Sequence, residues 1–98
     1  MIHYKKHRSK IDTNQNDIVR KLRSIPGVTV ALNHDDILCG YKGKTYWYEI
    51  KQESPYKANG ELKKGVLKDS QVKLLSEWEG HYKVIWALNQ ILEELGIV

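Results

Sequence analysis

Apolar positions recur along this chain with two different periods, and each change of period marks an element. Ile18, Leu22 and Ile25, with Val19 beside them, follow helical spacing and predict a first helix opening near residue 12. Asp12 and Gln15 have capping-box spacing, while Thr13 or Asn14 can cap instead. Arg20, Lys21 and Arg23 fall on the remaining surface, and Pro26-Gly27 stops the helix. Val28 to Leu32 then alternates as a strand, and Asn33-His34-Asp35 turns the chain. Residues 36–51 read as two short strands joined at Lys42-Gly43, the second rich in aromatic and β-branched residues. Ile37, Cys39, Tyr46, Tyr48 and Ile50 share one face of this hairpin; Leu38 and Trp47 share the other with Asp36, Glu49 and Lys51. Large apolar groups on both faces imply that helices cover both. Residues 53–68 are polar, without periodicity, and read as a long loop. Asp69 or Ser70 caps a second helix running to Glu79, with Val72, Leu75 and Trp78 inward and Gly80 as its stop. Tyr82 to Ala87 reads as a fourth strand, and Asn89 opens a final helix with Ile91, Leu92 and Leu95 inward. The expected fold is a single α/β domain in α-β-β-β-α-β order, a mixed sheet flanked by helices.

The hairpin carries the candidate chemistry. A two-residue loop pairs Tyr41 with Lys44 and sets Asp36 opposite Glu49, their Cβ atoms roughly 5 Å apart. Lys51 joins them, two residues beyond Glu49. A three-residue loop would instead set Asp36 opposite Ile50 and make the group diagonal. Two carboxylates so close repel unless a proton or cation lies between them, and hard oxygen donors suit Mg²⁺ or Mn²⁺. A neighbouring lysine orients or deprotonates a water, or meets a phosphate as a point charge. The bland alternative is a solvated surface pair on a hairpin.

The chain of 98 residues has the size of one domain, and its composition is that of an ordinary globular protein. No apolar run is long enough for a membrane span, and the basic N-terminus lacks the apolar segment of a secretory signal. One cysteine, Cys39, allows no intrachain disulfide and fits a reducing cytoplasm. The net charge is +4 and sits at the N-terminus: Lys5, Lys6, Arg8 and Lys10 meet no acid there, and the remaining twelve bases match twelve acids. Residues 1–11 are therefore set apart as a basic arm, suited to a polyanion such as DNA or serving only as a solubilising tail. Lys57, Lys63 and Lys64 place further cations in the loop that leaves Lys51, which makes it a candidate phosphate grip.

Asp35-Asp36-Ile37-Leu38-Cys39-Gly40-Tyr41 followed by Glu49-Ile50-Lys51, in this element order, resembles the PD-(D/E)XK nuclease superfamily. The pattern is most similar to small stand-alone virus-type replication-repair (VRR-NUC) nucleases, in which Pro-Asp-Leu-Leu-x-Gly-Tyr precedes Glu-Val-Lys. Asp12 to Gln15 with Ile18-Val19 and Leu22-Arg23 resembles that family's first helix, and Leu67 to Gln71 with Trp78-x-Gly80 its second. The chain departs from the pattern in three ways: Asp35 replaces the proline, Lys68-Asp69 replace a threonine and proline, and Asp17 is the one acid available on the first helix.

The resemblance implies a restriction-endonuclease-like core over residues 12–98 and a metal-dependent DNA endonuclease. In it, Asp36, Glu49 and the backbone carbonyl of Ile50 hold Mg²⁺ or Mn²⁺. Lys51 activates the attacking water, and Gln52, Gln71, Asn14 and Gln15 stand behind them or touch substrate. It further implies a homodimer acting on branched or duplex DNA, similar to Holliday-junction resolvases, in the cytoplasm of a bacterial or phage-infected cell. Its interface is expected on the first helix or on the fourth strand with Trp86. The rivals are a nicking or flap nuclease, a non-catalytic DNA-binding module of the same fold, and a helper subunit of a phage assembly.

Overall fold

In a computed structural model of the protein, which describes residues 14–33 and 36–97, the hairpin closes through the two-residue turn. Lys42 and Gly43 adopt φ of 51° and 79°, the left-handed pair that a type I′ turn requires. Gly43 does so freely, whereas the Lys42 side chain costs about 1 kcal/mol there. The Lys42 ammonium lies 5.3 Å from the centre of the Tyr41 ring.

Three strands run antiparallel in chain order: β1 (Val28–Asn33), β2 (Asp36–Tyr41) and β3 (Lys44–Ile50). A short β4 (Lys83–Ile85) lies parallel to β3, giving a mixed four-stranded sheet ordered β1-β2-β3-β4. A parallel neighbour needs a crossover, and α2 (Asp69–Glu77) lies within it. The other helices are α1 (residues 14–23) and α3 (Leu88–Leu95). This is the α/β class that the pattern predicts.

The core forms on the expected hairpin face. Ile37, Cys39, Tyr48 and Ile50 are buried against Ile18, Val19 and Leu22 of α1 and Ile91 and Leu95 of α3. Each such aliphatic side chain stabilises the fold by about 1.5–3 kcal/mol. Burial also pushes the Cys39 thiol above its ordinary pKa. The opposite face is only partly covered. Leu38 is 40% exposed there, and the side chains packed on Trp47 are Trp78 and Tyr82, which lie outside the helices, so the expectation of a helical cover holds for the core face.

The second half of the chain departs further from the pattern. Helix α2 is capped at Lys68, not at Asp69 or Ser70, and ends at Glu77. Its buried residue is Gln71, while Val72 is 41% and Trp78 51% exposed, so the inward face is shifted by one position. Trp78 follows the helix in extended conformation, and helical spacing therefore does not set its direction. Gly80 is needed for a reason other than stopping the helix: a Cβ there would stand 2.8 Å from the indole nitrogen of Trp78. Strand β4 is three residues long instead of six, and α3 is capped at Ala87 instead of Asn89. The segment from 53 to 68 is folded back on itself, with a bridge between Tyr56 and Leu62 and the Lys63 N–H donating to the Pro55 carbonyl at 2.7 Å. Pro55 is fully buried beneath it.

Candidate metal and phosphodiester site

The strand register builds one polar row across the sheet. Asn33 pairs with Asp36, Asp36 with Glu49, and Glu49 with Val84. Asp36 and Glu49 therefore project from the same face of adjacent strands, as the two-residue loop requires and the three-residue loop forbids. Glu49 is 3% exposed. A carboxylate so buried is costly unless a cation or donors reach it. The Lys51 ammonium stands 3.8 Å from Glu49 Oε2. That separation is wide for a direct hydrogen bond and places Lys51 at the flank of the carboxylate.

The backbone around Lys51 is fixed from two sides. Its N–H donates to the Ile85 carbonyl at 2.8 Å, which ties the end of β3 to β4. Its carbonyl accepts from Asn14 Nδ2 at 2.9 Å, which ties the same residue to α1. Asn14, expected behind the site or at substrate, is thus bonded to the backbone of Lys51. The Ile50 side chain enters the core, and its carbonyl lies on the chain between Glu49 and Lys51.

Two aromatic residues complete this face: Trp47, which alternation places there without a role, and Tyr82, which the sequence does not signal. Trp47 Nε1 donates to Asp36 Oδ2 at 2.7 Å. Its ring meets Tyr82 edge-on at 4.8 Å and Trp78 edge-on at 5.4 Å between centroids. The Tyr82 hydroxyl is buried and has no hydrogen-bond partner among the described residues. Burial first, then the Glu49 and Asp36 carboxylates, push its pKa well above the ordinary phenol value. Alternation in the hairpin already placed Trp47 on this face. Nothing in the local pattern signals Tyr82, because its position depends on the crossover.

Gln71 is buried, but its carboxamide oxygen accepts the Lys68 N–H at 3.0 Å and so serves the cap of α2. Gln15 is partly buried on α1 and Gln52 is exposed just past β3. Asp17 points into an ion pair with Arg20 and another with Lys21 at 3.0 Å, on the outer surface of α1. Lys57 and Lys64 are exposed and Lys63 partly buried on the segment that follows Lys51. Lys5, Lys6, Arg8 and Lys10, with His34 and Asp35, lie outside the described residues.

A second polar cluster sits on the core side of the sheet. Glu94 accepts from the Tyr48 hydroxyl at 2.6 Å, from His81 Nε2 at 2.8 Å and from Lys83 Nζ at 3.3 Å. His81 Nδ1 accepts the Trp47 N–H at 2.9 Å, so the Nε2 nitrogen carries the proton. Burial works to raise the Glu94 pKa, but the three donors outweigh it and hold the carboxyl below the usual range. Burial and the same bond to Glu94 raise Tyr48. With its donors and acceptors matched, this cluster ties α3 and β4 to β3.

The donor set of the Asp36–Glu49 pair fits a small hard cation. It offers two carboxylates on adjacent strands, and Mg²⁺ keeps several waters instead of demanding an all-protein cage. Among the described residues, no group of three or more histidines, cysteines or acids comes together as a metal cage. No described helix is long and apolar enough to cross a membrane. Comparisons with protein-family models, with curated proteins and with solved structures find no match.

Proposed function

We propose that this chain is a divalent-metal-dependent phosphodiesterase acting on DNA, a small nuclease of the PD-(D/E)XK type resembling the VRR-NUC group. The observation that carries the reading is the pairing of Asp36 with Glu49 across β2 and β3, with Lys51 3.8 Å from Glu49. Asp36, Glu49 and the Ile50 carbonyl would hold Mg²⁺ or Mn²⁺. When bound, the cation supplies positive charge to the scissile phosphate and lowers the pKa of a nearby water. Lys51 orients that water and meets negative charge as it develops on the phosphate. Trp47 holds Asp36 in place through its indole N–H. Lys57, Lys63, Lys64 and the basic arm would contact the DNA backbone without reading its sequence.

The substrate in this reading is branched DNA and the working unit a homodimer, because one site cuts one strand and a junction requires two cuts. The exposed apolar groups Leu32, Leu38, Val72 and Trp78 are the surface available for self-association. The first helix is a poor candidate, since Ile18, Val19 and Leu22 are used in the core. The place of action in this reading is the cytoplasm of a bacterial or phage-infected cell.

The test incubates the purified protein with a four-way junction, a flap, a plain duplex and single strands, in Mg²⁺, Mn²⁺ or EDTA. Cleavage of the junction in Mg²⁺ or Mn²⁺, lost in EDTA and in D36N, E49Q and K51A, is the expected result. Full activity in any of the three variants would overturn the mechanism. Binding of DNA without cleavage in either metal would leave the non-catalytic module in its place.

A further inference from the structure

The Tyr82 hydroxyl is the one buried side-chain oxygen or nitrogen among the described residues that lacks a hydrogen-bond partner. Its location gives this meaning. Tyr48 pairs with Lys83 and Glu49 with Val84, so Tyr82, two residues before Val84, lies on the face that carries Glu49 and Trp47. The edge-on packing of Tyr82 against Trp47 at 4.8 Å agrees with that placement. Trp47 in turn holds Asp36. A phenol is protonated at neutral pH and can donate. Buried polar groups are nearly always satisfied, and an orphan beside a polar site marks a place where a ligand completes the bonding.

We propose that the Tyr82 hydroxyl belongs to the Asp36–Glu49 site, where it donates to a water ordered at the carboxylate pair and thereby acts as a positioning residue. The inference rests on the proposed phosphodiesterase reading. In the reaction the hydroxyl neither gains nor loses its proton. It fixes the direction of the water's lone pairs, while Lys51 approaches from the Glu49 side.

The experiment compares the wild-type protein with Y82F and D36N. Three quantities are read: melting temperature in EDTA, Mn²⁺ affinity by calorimetry, and kcat and KM on a four-way junction in Mn²⁺. Y82F keeps the ring against Trp47 and deletes an unpartnered hydroxyl, so its melting temperature should equal or exceed that of the wild type. Its Mn²⁺ affinity should weaken about tenfold, the usual effect of losing a group that orients a metal's ligands, and kcat should fall with KM little changed. Y82F with wild-type Mn²⁺ affinity and kcat, while D36N loses both, would overturn the role of Tyr82 and leave the site standing. A lowered melting temperature with unchanged Mn²⁺ affinity would show that the hydroxyl is structural and overturn it equally. A wild-type protein that neither binds Mn²⁺ nor cleaves would remove the phosphodiesterase reading, and the Tyr82 assignment with it.

Discussion

Trp47 and Asp36 are joined by a 2.7 Å hydrogen bond between neighbouring strands, indole N–H to carboxylate. Trp47 faces Leu38 in the register and Asp36 faces Glu49, so the bond runs diagonally across one step of the hairpin. It ties one oxygen of the aspartate to the face that Glu49 shares. The aromatic ring does this from inside a packed trio with Tyr82 and Trp78, which removes its freedom to swing away.

Replacing Trp47 with Phe therefore separates packing from aim. The ring still packs, but a hydrogen bond to a charged group, worth about 1.5–3 kcal/mol when well buried, is lost. Trp47 is half-buried, so the stability loss should fall at the low end, a few degrees in melting temperature. Mn²⁺ affinity should fall about tenfold, measured by calorimetry. A W47F protein with undiminished affinity would show that Asp36 needs no such support.

The hairpin turn offers a stabilising change. Lys42 holds a left-handed φ of 51° ahead of Gly43, and Asn-Gly is the preferred type I′ pair. K42N should remove much of the roughly 1 kcal/mol backbone cost. It gives up a cation–π contact worth about 0.5 kcal/mol at an exposed site. The net gain should raise the melting temperature by a few degrees, since a 1 kcal/mol change moves a domain of this size by about 4–8 °C. No rise in thermal unfolding experiments would mean that the Lys42–Tyr41 contact outweighs the turn.

The Glu94 cluster contributes stability that is lost at both ends of the pH range. The folded-state pKa of Glu94 is below the ordinary 4.5, so its contribution is present above that value and is lost as pH falls through the folded pKa. Tyr48 is raised above the ordinary 10.0, so its contribution is present below that value and is lost as pH rises toward the folded pKa. Urea midpoints across the pH range should fall at both ends for the wild type. E94Q should flatten the acid limb and Y48F the alkaline limb. An unaltered acid limb in E94Q would assign it to other carboxylates.

The hairpin was legible because two independent signals agree there. Alternation fixes which residues share a face, but a turn at Lys42-Gly43 admits a two- or a three-residue loop, and it is the left-handed Lys42-Gly43 pair of the folded chain that closes the shorter one and sets Asp36 opposite Glu49. The buried faces of α1 and α3 were legible for the same reason, since Leu22 and Ile91 repeat at helical spacing. Helix α2 was not. Its burial is set by Gln71 turning back to its own cap, and Trp78 lies past the helix end, where periodicity no longer applies. Tyr82 was hidden because parallel pairing of β4 with β3 is decided by the crossover and not by any local pattern. The indole nitrogen of Trp47 was hidden inside a residue that reads as plain apolar cover.

The basic arm makes a prediction about DNA alone. Lys5, Lys6, Arg8 and Lys10 lie in residues 1–10 and meet no acid there. Deleting those residues should weaken DNA binding and flatten the dependence of log affinity on log salt by roughly one unit per lost phosphate contact. Thermal unfolding should change little, because the core among the described residues runs from Ile18 onward. An unchanged salt slope would make the arm a tail.

The homodimer is the prediction with the most distant consequence. In the proposed reading one Asp36–Glu49 pair would serve one scissile phosphate, and symmetric cutting of a junction needs two such sites related by a two-fold axis, the commonest assembly. The face that carries the pair also leaves Leu38 40% exposed, with Ala31 beside it on β1 and Trp78, 51% exposed, beyond Trp47. Exposed leucine and tryptophan next to a polar row are the composition of an interface, since aromatic residues are enriched where partners meet. L38E should therefore abolish dimerisation without unfolding the domain, because Leu38 is outside the buried core. Light scattering with and without a four-way junction, on wild type and L38E, measures this directly. The wild type should be a dimer in at least the junction-bound state, and L38E a monomer that no longer makes paired cuts. A wild-type monomer in both conditions that still resolves junctions would overturn the dimer and the resolvase reading together, while the chemistry of Asp36, Glu49 and Lys51 would stand.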